Sequence, residues 1–365
     1  MRIITTSYDK AGTFDNPNAW LKRIGFYTGI LEKLATEHEL ISIERINYEG
    51  WLQLNGVFYY FMRLKNKVTY FPWQMHRFIR KQTPDIVLVH GFIFPLQIIQ
   101  LRFALGKKTK IIVQNHAEKP SPGLRSFFQR LADRYVNAYF FTSSEMAREW
   151  LEKGIIRKEE KIVEIMEVSS IFRYNEKNRE KSPDETRTPT FLWVGRLNDN
   201  KDPMTVVRAF LNFLSHQPQA RLNMIYQQDE LLEDIKKLIV ANKQAIDAIV
   251  FVGQVPHQRL QEWYNGADFF ISGSHYESGG VAVCEAMSCG CIPILTNITS
   301  FQKMTNGGTC GLLYEAGSEH ALLECLLQTG KMDINKERTK VLEQFNKELS
   351  FEAIAKKIDK ALNAL

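Results

Sequence analysis

Cysteine is scarce in this sequence and is confined to its second half. All five cysteines lie between residues 284 and 325, and no CxxC pair offers the spacing of zinc ligands. Five is an odd number, so they do not form a complete disulfide framework. The pattern favours a reduced, cytoplasmic compartment and a fold without a bound metal.

Long apolar runs are also missing. The first residues, MRIITTSYDKAG, end their apolar run before the roughly 7 to 15 residues that a signal peptide needs, and they predict a first β-strand instead. The most apolar stretch, residues 86–100, is interrupted by His90, Gly91 and Pro95, and it falls short of the roughly 20 residues of a membrane span. The sequence therefore predicts no segment that crosses a bilayer.

Acidic residues are nearly absent from residues 50–117, which contain ten Lys or Arg against the single acid Asp85. A basic stretch of this kind suits an anionic partner, such as a phosphorylated substrate, acidic lipid headgroups or nucleic acid. It is equally compatible with an ordinary solvated surface. The charge bias alone does not decide between these interpretations.

Two common nucleotide-binding motifs are absent as well. No GxGxxG follows the first predicted strand, and no GxxxxGK[ST] phosphate loop is present. The glycines at residues 307–311 lie near the end of the second half, far from a first strand. These absences argue against nicotinamide, flavin and P-loop chemistry.

What the sequence does contain is a repeated alternation of short apolar runs and helical patterns, which predicts parallel α/β sheets. A length of 365 residues favours two such domains. Between them, residues 174–190 are polar and carry two prolines, as an exposed linker would. We predict an N-terminal domain over residues 1–180, a second domain over 186–348, and a terminal helix over 349–365 that could pack back on the first domain.

The strongest local pattern lies in FISGSHYESGGVAVCEAMSCGCIPI, where Glu277 and Glu285 are spaced E-x7-E around the start of a predicted helix. Backbone N–H groups at a helix start carry partial positive charge, so the segment from Gly279 through Gly280 to Val281 is able to approach a phosphate. Carboxylates accept hydrogen bonds from hydroxyls, which suggests a sugar on one side and a ribose on the other. The alternative is a surface turn whose acids only favour the helix.

A second pattern, FLWVGRLNDNKDP, ends a predicted strand at Gly195 and Arg196 and places Lys201 just before a helix. In tandem doubly wound domains, ligands bind where the carboxyl ends of strands face a cleft. Arg196 and Lys201 would there neutralise a diphosphate. Taken alone, they are equally explained as solvated loop charges.

These segments, together with the EAMSCGCIPI run, resemble the retaining family 4 glycosyltransferases, which have the glycosyltransferase B fold. The resemblance extends more weakly through PDIVLVHG, IIVQNH and AYFFTSS in the first half. It implies two Rossmann-like domains facing across a cleft, a nucleoside-diphosphate sugar as donor, and a glycan or lipid-linked glycan as acceptor. It also implies a hexosyltransferase that retains configuration, acts in polysaccharide biosynthesis, and needs neither metal nor cofactor.

Residue by residue, the resemblance implies that Arg196 and Lys201 hold the diphosphate, Glu277 contacts the donor sugar and Glu285 contacts the ribose. The amides from Gly279 to Val281 complete the phosphate cradle, and Gly195 lies beside it. His116, at the end of IIVQNH, matches the family histidine that reaches the transferred sugar, although a histidine at a strand end is often structural. His90, which also ends a predicted strand, is interpreted as a structural polar residue and left out of the site.

The sequence departs from the family pattern in several places. SYDKAGTFDNPN replaces the usual Gly-Gly loop after the first strand, and Gly279 stands where an aromatic or Pro is more usual. The usual Asn-Gly-Val-Asp turn appears as Glu167, Val168, Ser169 and Ser170. A usual glycine-rich strand end appears as IYQQDE. Recognition of the base and the acceptor is therefore expected to differ from that of typical members.

Two other classes remain open at this stage. A nucleotide-sugar epimerase of the same fold would need acid and base carboxylates in the first domain, where residues 50–117 offer only Asp85. A non-catalytic module binding nucleic acid or membrane is suggested by aromatics interleaved with Lys65, Lys67 and Arg77 in residues 51–81. We expect no nucleic acid partner, and we expect that stretch either to form an amphipathic helix with core contacts or to dock on the inner face of an anionic membrane.

Overall fold

The computed structural model describes residues 1–63, 70–176, 189–242 and 246–365. Their contacts divide the chain into two units, one of Met1–Ser169 with Phe351–Leu365 and one of Ser170–Ser350. The predicted domain limits at residues 180 and 186, and most of the predicted linker, lie outside the described residues, as do Lys65 and Lys67.

Unit 1 is built on an eight-stranded sheet in the order β3-β4-β2-β1-β5-β6-β7-β8. All neighbours are parallel except β3 and β4, which pair antiparallel. The strands are β1 (Arg2–Ser7), β2 (Glu39–Glu44), β3 (Gly50–Leu54), β4 (Val57–Phe61), β5 (Ile86–His90), β6 (Lys110–Gln114), β7 (Ala138–Phe141) and β8 (Ile162–Glu164).

The sheet order of unit 1 reverses at β1, which lies between β2 and β5. In doubly wound sheets the crevice at such a reversal, outside the carboxyl ends of the strands, is where ligands bind. The helices around the sheet are α1 (Pro17–Arg23), α2 (Gly25–Leu34), α3 (Trp73–Lys81), α4 (Pro95–Leu105), α5 (Gly123–Asp133) and α6 (Arg148–Glu152), with 3-10 turns at Ser144–Ala147 and Glu159–Lys161.

The hairpin of β3 and β4 has a clear chemical cause. Asn55 and Gly56, which connect the two strands, both have positive φ, at 48° and 84°. Asn-Gly is the preferred pair for a two-residue turn of this kind, because its twist matches that of the flanking strands. Residues 51–81 were predicted to form an amphipathic helix or a docking segment rather than strands, and among the described residues of this stretch the helix is α3.

Unit 2 is a six-stranded, fully parallel sheet in the order β11-β10-β9-β12-β13-β14. Its strands are β9 (Thr190–Gly195), β10 (Arg221–Tyr226), β11 (Ile249–Gly253), β12 (Phe269–Ser272), β13 (Ile292–Thr296) and β14 (Leu312–Tyr314). The apolar runs of β9, β12 and β13 are typical of strands covered on both faces. The order reverses between β9 and β12, so this unit also has a reversal crevice.

The helices of unit 2 cover both faces of its sheet. They are α7 (Pro203–Leu214), α8 (Leu232–Val240), α9 (His257–Gly266), α10 (Val281–Ser288), α11 (Thr299–Met304), α12 (Glu319–Thr329) and α13 (Ile334–Gln344), followed by a π-helical turn at Phe345–Leu349. Phe191, Phe210, Phe213 and Phe269 are buried together in the core between β9, β12 and α7. The predicted fold class, α/β with two Rossmann-like units, is confirmed.

The terminal helix α14 (Phe351–Asn363) belongs to unit 1 and packs on α2. A Cβ at Gly29 of α2 would lie 2.6 Å from the Phe351 ring, so a glycine is needed for this close contact. Lys33 pairs with Glu352 at 2.6 Å beside it. Among the described residues, no helix combines the length and the apolar character that a membrane crossing requires.

Candidate active site

The reversal crevice of unit 2 is formed by the loops that follow β9 and β12. The first loop begins at Gly195 and Arg196 and runs through Lys201 to Asp202, whose carboxylate caps α7 by accepting from the Thr205 N–H at 3.0 Å. Because β9 and β12 are neighbours in the sheet, the second loop starts directly beside the first.

Backbone contacts hold the two loops together. The His275 N–H donates to the Asn200 carbonyl at 2.8 Å, and the Asn200 side-chain amide donates to the Tyr276 carbonyl at 3.1 Å. A Cβ at Gly273 would lie 2.8 Å from the Asp202 carbonyl oxygen, so glycine permits this approach. The loops therefore form one surface, and the sequence patterns that were found separately lie on it.

Lys201 and Glu277 meet on this surface as an ion pair between Nζ and Oε1. Their side chains are 27% and 15% exposed, so both remain reachable from solvent. An ionised carboxylate has about four lone-pair sites, so Lys201 leaves acceptor capacity on Glu277. Arg196 is exposed, and no acid pairs with it among the described residues.

The start of α10 completes this part of the site. Gly280 is the N-cap with φ 56° and supplies no side-chain cap, while the first hydrogen bonds of the helix are donated to its carbonyl by Val283 and Cys284. The amides from Gly279 to Ala282 have no acceptor among the residues that the structure describes. The buried Ser278 hydroxyl next to them also has no partner there. These donors are the features of an anion site at a helix start.

Glu285, one turn further along α10, is held from two sides. Its Oε1 contacts His257 Nε2 at 2.6 Å, and its Oε2 accepts from the Tyr264 hydroxyl at 3.0 Å. Glu285 is only 5% exposed, whereas the His257 side chain is 47% exposed and contacts the Phe172 ring. His257 and Tyr264 were not among the predicted site residues, because α9 carries no motif that links them to Glu285.

The reversal crevice of unit 1 holds a cavity of about 270 Å³. Thr5, Thr6 and Ser7 of β1 line it, together with the ends of β2 and β5. His116 and Glu167 from two later loops also line it, and side chains of α1 and α2 contribute apolar surface. His116 is thus the one predicted site residue that lies in this unit.

A chain of hydrogen bonds runs through the floor of this cavity. Glu167 pairs with His116 Nδ1, His116 Nε2 lies 2.9 Å from His90 Nδ1, and His90 Nε2 lies 2.7 Å from the Tyr27 hydroxyl. His90 was left out of the predicted site, but its ring stacks on that of His116 and it lines the same cavity. The two rings meet because His90 ends β5, His116 follows the end of β6 by two residues, and these two strands pair with His90 opposite Gln114.

The pKa values of the two histidines are shifted in opposite directions. Burial lowers the pKa of His90 well below its usual value, and the neighbouring charge of His116 lowers it further. Burial also acts to lower the pKa of His116, but Glu167 and then Glu118 outweigh it, so the pKa of His116 is raised. Of the two rings, His116 therefore binds a proton more readily, and when His116 is protonated its Nε2–H is able to donate to His90 Nδ1.

This assignment predicts a pH-dependent contribution to stability. A histidine whose pKa is raised in the folded state contributes stability that is fully present below its unfolded pKa of about 6.5 and is lost as pH rises through the folded pKa. We expect Glu167→Gln to cost about 1–2 kcal/mol at pH 6, a value discounted because His116 is partly exposed, and less at pH 9.

Urea unfolding at both pH values measures this difference. Glu145→Gln, which removes an exposed acid from the same unit, is the control and should show a small cost at either pH. If Glu167→Gln lowers the free energy of unfolding equally at pH 6 and pH 9, then Glu167 does not raise the pKa of His116.

No group of three or more metal-ligating side chains is found in the described parts of the chain. On the two loops that follow β9 and β12, the Lys and Arg side chains are Arg196 and Lys201.

Comparisons with known proteins agree with this geometry. Residues 175–344, nearly all of unit 2, match the family model described as glycosyl transferases group 1. A GDP-mannose:cellobiosyl-diphosphopolyprenol alpha-mannosyltransferase of Xanthomonas campestris is 25% identical over 241 residues, which are 64% of this chain and 61% of that protein. The chain spans between about a third and three fifths of the length of the first curated relatives it matches.

Solved structures resemble the whole chain. A glycosyltransferase from Rickettsia africae superposes with a TM-score of 0.72 at 17% identity, covering 100% of this chain and 98% of that one. HepE from Anabaena, in complex with UDP and glucose, gives 0.66 at 14% identity and covers 100% of both chains. At these identities the likeness shows the fold alone.

The chain is therefore an α/β protein with the glycosyltransferase B fold, and its second unit matches the model of the group 1 glycosyl transferases. The resemblance drawn from the sequence is confirmed at that level. Membership of family 4 in particular stays a prediction, as do the roles of the individual site residues.

Proposed function

We propose that this protein is a retaining, metal-independent glycosyltransferase that moves a sugar from a nucleoside-diphosphate sugar to a hydroxyl of a glycan or lipid-linked glycan. The observation that carries the proposal is the joined pair of loops in unit 2. They present Lys201, Glu277 and the free amides from Gly279 to Ala282 on one surface. Cations and amides suit a diphosphate, and a carboxylate among them suits sugar hydroxyls.

In the proposed reaction, the bond between the anomeric carbon and the diphosphate oxygen breaks, and a bond to the acceptor oxygen forms on the same face. The acceptor proton passes to a leaving phosphate oxygen. Negative charge grows on the diphosphate during this step, and Lys201, Arg196 and the start of α10 are already in place to stabilise it. No side chain of the protein is required as a nucleophile.

The test is a panel of nucleotide sugars, screened by thermal shift and followed by mass spectrometry of the products. UDP- and GDP-linked hexoses are the first members, with methyl glycosides as model acceptors. Stabilisation by at least one donor, followed by sugar transfer or donor hydrolysis, is the expected result. A protein that neither binds nor cleaves any donor would contradict the proposal.

The same assay addresses the second candidate, an epimerase. Asp85, the acid considered from sequence, precedes β5 at the amino end of the sheet and bonds the Arg2 N–H, so it does not line the cavity. Glu44 and Glu167 do line the cavity, so acid and base carboxylates are present in unit 1. The Xanthomonas campestris relative is described as a transferase, which does not favour an epimerase. An epimerised nucleotide sugar among the products would support the epimerase instead.

Activity is expected to survive an excess of chelator. In the proposed mechanism the cations Arg196 and Lys201 neutralise the leaving diphosphate, a role that a divalent ion fills in metal-dependent enzymes. Initial rates measured with and without EDTA should agree within about twofold. Loss of activity that magnesium or manganese restores would overturn the metal-independent mechanism.

We also infer peripheral contact with an anionic membrane through α3. Trp73, Arg77, Arg80 and Lys81 are exposed and share one face at helical spacing, while Met75, His76 and Ile79 are buried on the other. Exposed Tyr70 and Phe71 precede the helix. Aromatic side chains insert at the interface, and each basic residue near an anionic surface adds about 1 kcal/mol.

Vesicle co-sedimentation tests this contact. Wild type should bind vesicles that contain phosphatidylserine or phosphatidylglycerol but not neutral ones, and binding should fade at high salt. Reversal of Arg77, Arg80 and Lys81 to Glu should abolish it. The matched control reverses three exposed basic residues of unit 2, Lys236, Lys237 and Arg259.

If both triple variants lose vesicle binding equally, the net charge of the protein and not the face of α3 determines binding. If the wild-type protein does not bind anionic vesicles, the proposed membrane contact is wrong.

A further inference from the structure

The strand β3 is the outermost strand of the sheet in unit 1, and its outer edge pairs with no other strand that the structure describes. An exposed edge offers a row of free N–H and C=O groups to a further strand. Proteins usually guard such edges with charged residues, proline, a bulge or a very short strand. The five residues of β3, in a regular antiparallel ladder, have none of these devices.

The other edge strands of the two sheets are guarded. The strands β8 and β14 have three residues each, and β8 ends in the carboxylate of Glu164. The ladder between β10 and β11 shifts its register, so that Val252 of β11 is left out of the pairing, as in a bulge. Among the edges that the structure describes, β3 is therefore the exception.

The absence of charge on β3 is notable because the strand begins the most basic stretch of the sequence. Residues 50–117 contain ten Lys or Arg, yet residues 50–62, which form β3, its turn and β4, contain no charged side chain. Large apolar side chains are exposed here instead, with Trp51 at 51% and Tyr48, Leu54 and Phe58 close to 40%. An exposed apolar patch of this kind marks an interaction surface.

The free backbone groups of β3 belong to Trp51 and Gln53. Along an antiparallel ladder, pairs that exchange hydrogen bonds alternate with pairs that do not. Leu54 and Val57 close the two-residue turn, so Leu54 and Leu52 direct their N–H and C=O groups to β4. The same groups of Trp51 and Gln53 point outward, and they have no partner among the described residues.

These outward groups favour a strand over a lipid surface as the partner of this edge. Hydrocarbon offers the backbone no hydrogen bonds, so an unpaired edge is not stable within a bilayer. A strand added to the edge would satisfy the N–H and C=O groups of both Trp51 and Gln53.

A second copy of β3 fits this edge by two-fold symmetry. Two copies can pair antiparallel with Trp51 of each opposite Gln53 of the other, so that Leu52 meets Leu52 of the second copy on the axis. Both Trp51–Gln53 pairs then exchange hydrogen bonds, since they alternate with the pair on the axis. All the outward groups of the two strands are satisfied in this register.

The side chains that this register brings together are compatible. The two Trp51 rings become diagonal neighbours across the axis, about 7–8 Å apart at their backbones, which is within reach of aromatic side chains. Leu54 falls opposite Gly50, which leaves room for its side chain, and Glu49 falls opposite Asn55. No like charges are therefore opposed, although the protein as a whole is basic.

We propose that two copies of this chain associate through β3 and join their eight-stranded sheets into one. The contact uses one five-residue strand and a few exposed side chains from each copy, so it lies at the low end of interface sizes, and we expect a Kd of about 1–100 µM. Phe78 of α3 stacks on Tyr60, on the sheet face that carries Trp51. Because the two-fold axis is perpendicular to the sheet, both α3 helices would lie on the same side of the dimer. The association itself does not depend on glycosyl transfer.

Sedimentation velocity of the full chain, from about 1 to 200 µM, is the first measurement. Monomer should convert to dimer across this range. Hydrogen exchange in the peptide that contains residues 50–54 should slow as the dimer forms. A protein that stays monomeric throughout would overturn the proposal. In that case, a blue shift of tryptophan fluorescence on anionic vesicles, abolished by Trp51→Leu, would assign the patch to lipid instead.

The variant Gln53→Pro tests the strand pairing itself. Proline lacks the N–H that Gln53 directs outward, whereas the hydrogen bonds from β3 to β4 do not use this group, and proline is tolerated on edge strands for that reason. We expect Gln53→Pro to abolish the dimer, and urea unfolding checks that the variant is folded. A folded Gln53→Pro protein that dimerises as wild type does would overturn the pairing through β3.

A charge pair tests the two-fold symmetry without disturbing the backbone. Gln53→Lys and Gln53→Glu each place like charges on diagonal neighbours across the axis, and each should weaken self-association by about 3- to 10-fold at low salt. An equimolar mixture of the two variants should recover the association, because opposite charges then meet. Recovery is expected of a contact between two copies and not of an edge that binds a different protein.

Gln74→Lys and Gln74→Glu are the matched controls, since Gln74 is an exposed residue of α3 in the same unit and away from β3. They make the same changes in net charge and should leave the dimer unchanged. If the Gln53 variants dimerise as wild type does, or if the Gln74 variants weaken the dimer equally, then the interface is not β3.

Discussion

Replacement of Lys201 by alanine is expected to reduce turnover by roughly 10- to 150-fold. A charge-assisted contact to the leaving diphosphate contributes about 1.5–3 kcal/mol, and it strengthens as charge develops in the transition state. Arg196→Ala should have an effect of similar size. Stability should change little, because partly exposed ion pairs contribute about 0–1 kcal/mol to the free energy of unfolding.

Initial rates with saturating donor, together with urea unfolding of each variant, measure these effects. Arg208→Ala is the matched control, since Arg208 is also a cation of unit 2 but pairs with Glu319 away from the two loops. Near-normal turnover in both Lys201→Ala and Arg196→Ala would show that the diphosphate does not bind to this surface.

The ion pair adds a second expectation for Lys201. Without its partner, Glu277 presents an unpaired negative charge close to where the diphosphate is proposed to bind. The double variant Lys201→Ala/Glu277→Ala should therefore lose less than the sum of the two single losses, as coupled residues do. Strict additivity would indicate that the two side chains act independently.

Most elements of the fold could be predicted from the sequence because buried parallel strands have short, continuous apolar runs. The run at residues 86–90 coincides with β5, and the run at residues 190–194 lies within β9. The apolar periodicity of residues 20–38 predicts one helix, whereas the structure has two, α1 and α2, which meet at Ile24. Its apolar periodicity continues across that break, so pattern alone did not reveal it.

The site in unit 2 was predictable for a topological reason. Gly195, Arg196 and Lys201 follow one strand and Glu277 follows another, and the sheet reverses its order between these two strands. Residues at such a reversal come together whatever their separation along the chain. The Lys201–Glu277 pair, across 76 positions, is the direct result.

The site in unit 1 was only partly predictable. His116 was identified by family resemblance, while Glu167 was noted only as a departure from the family turn. The pairing of these two residues depends on the position of the loop after β8, for which the sequence gives no local signal. The departure in sequence is thus also a change in chemistry, because it supplies the carboxylate that raises the pKa of His116.

Glu285 is the residue for which the structure changes the expected experiment most. Glu285→Ala would remove the acceptor of the buried Tyr264 hydroxyl, and an unsatisfied buried group costs about 1–3 kcal/mol. Loss of nucleotide affinity in that variant would then mix a lost ribose contact with a local rearrangement. Glu285→Gln keeps the shape and one acceptor oxygen, so it isolates the loss of the charge.

We expect Glu285→Ala to weaken the binding of free nucleoside diphosphate by about 10-fold or more, and Glu285→Gln by less. Glu277→Ala should leave that affinity nearly unchanged and mainly reduce sugar transfer, because its proposed partner is the donor sugar. Titration calorimetry with UDP and GDP measures the affinities, and initial rates measure transfer. Glu262→Gln, an exposed acid on α9, is the control.

His257 distinguishes the ribose role of Glu285 from a purely structural one. It is the more exposed of the two groups that hold Glu285, and it donates to the same carboxylate that the ribose is proposed to reach. If Glu285 binds ribose, His257→Ala frees one of its oxygens and should change diphosphate affinity by at least threefold, while Tyr264 still holds the carboxylate. The contradicting result is an equal loss of diphosphate affinity in Glu277→Ala and Glu285→Ala, together with no change in His257→Ala. In that case the ribose and sugar roles of the two acids are wrong. Glu285 is then a buried structural acid that fixes α9 to α10.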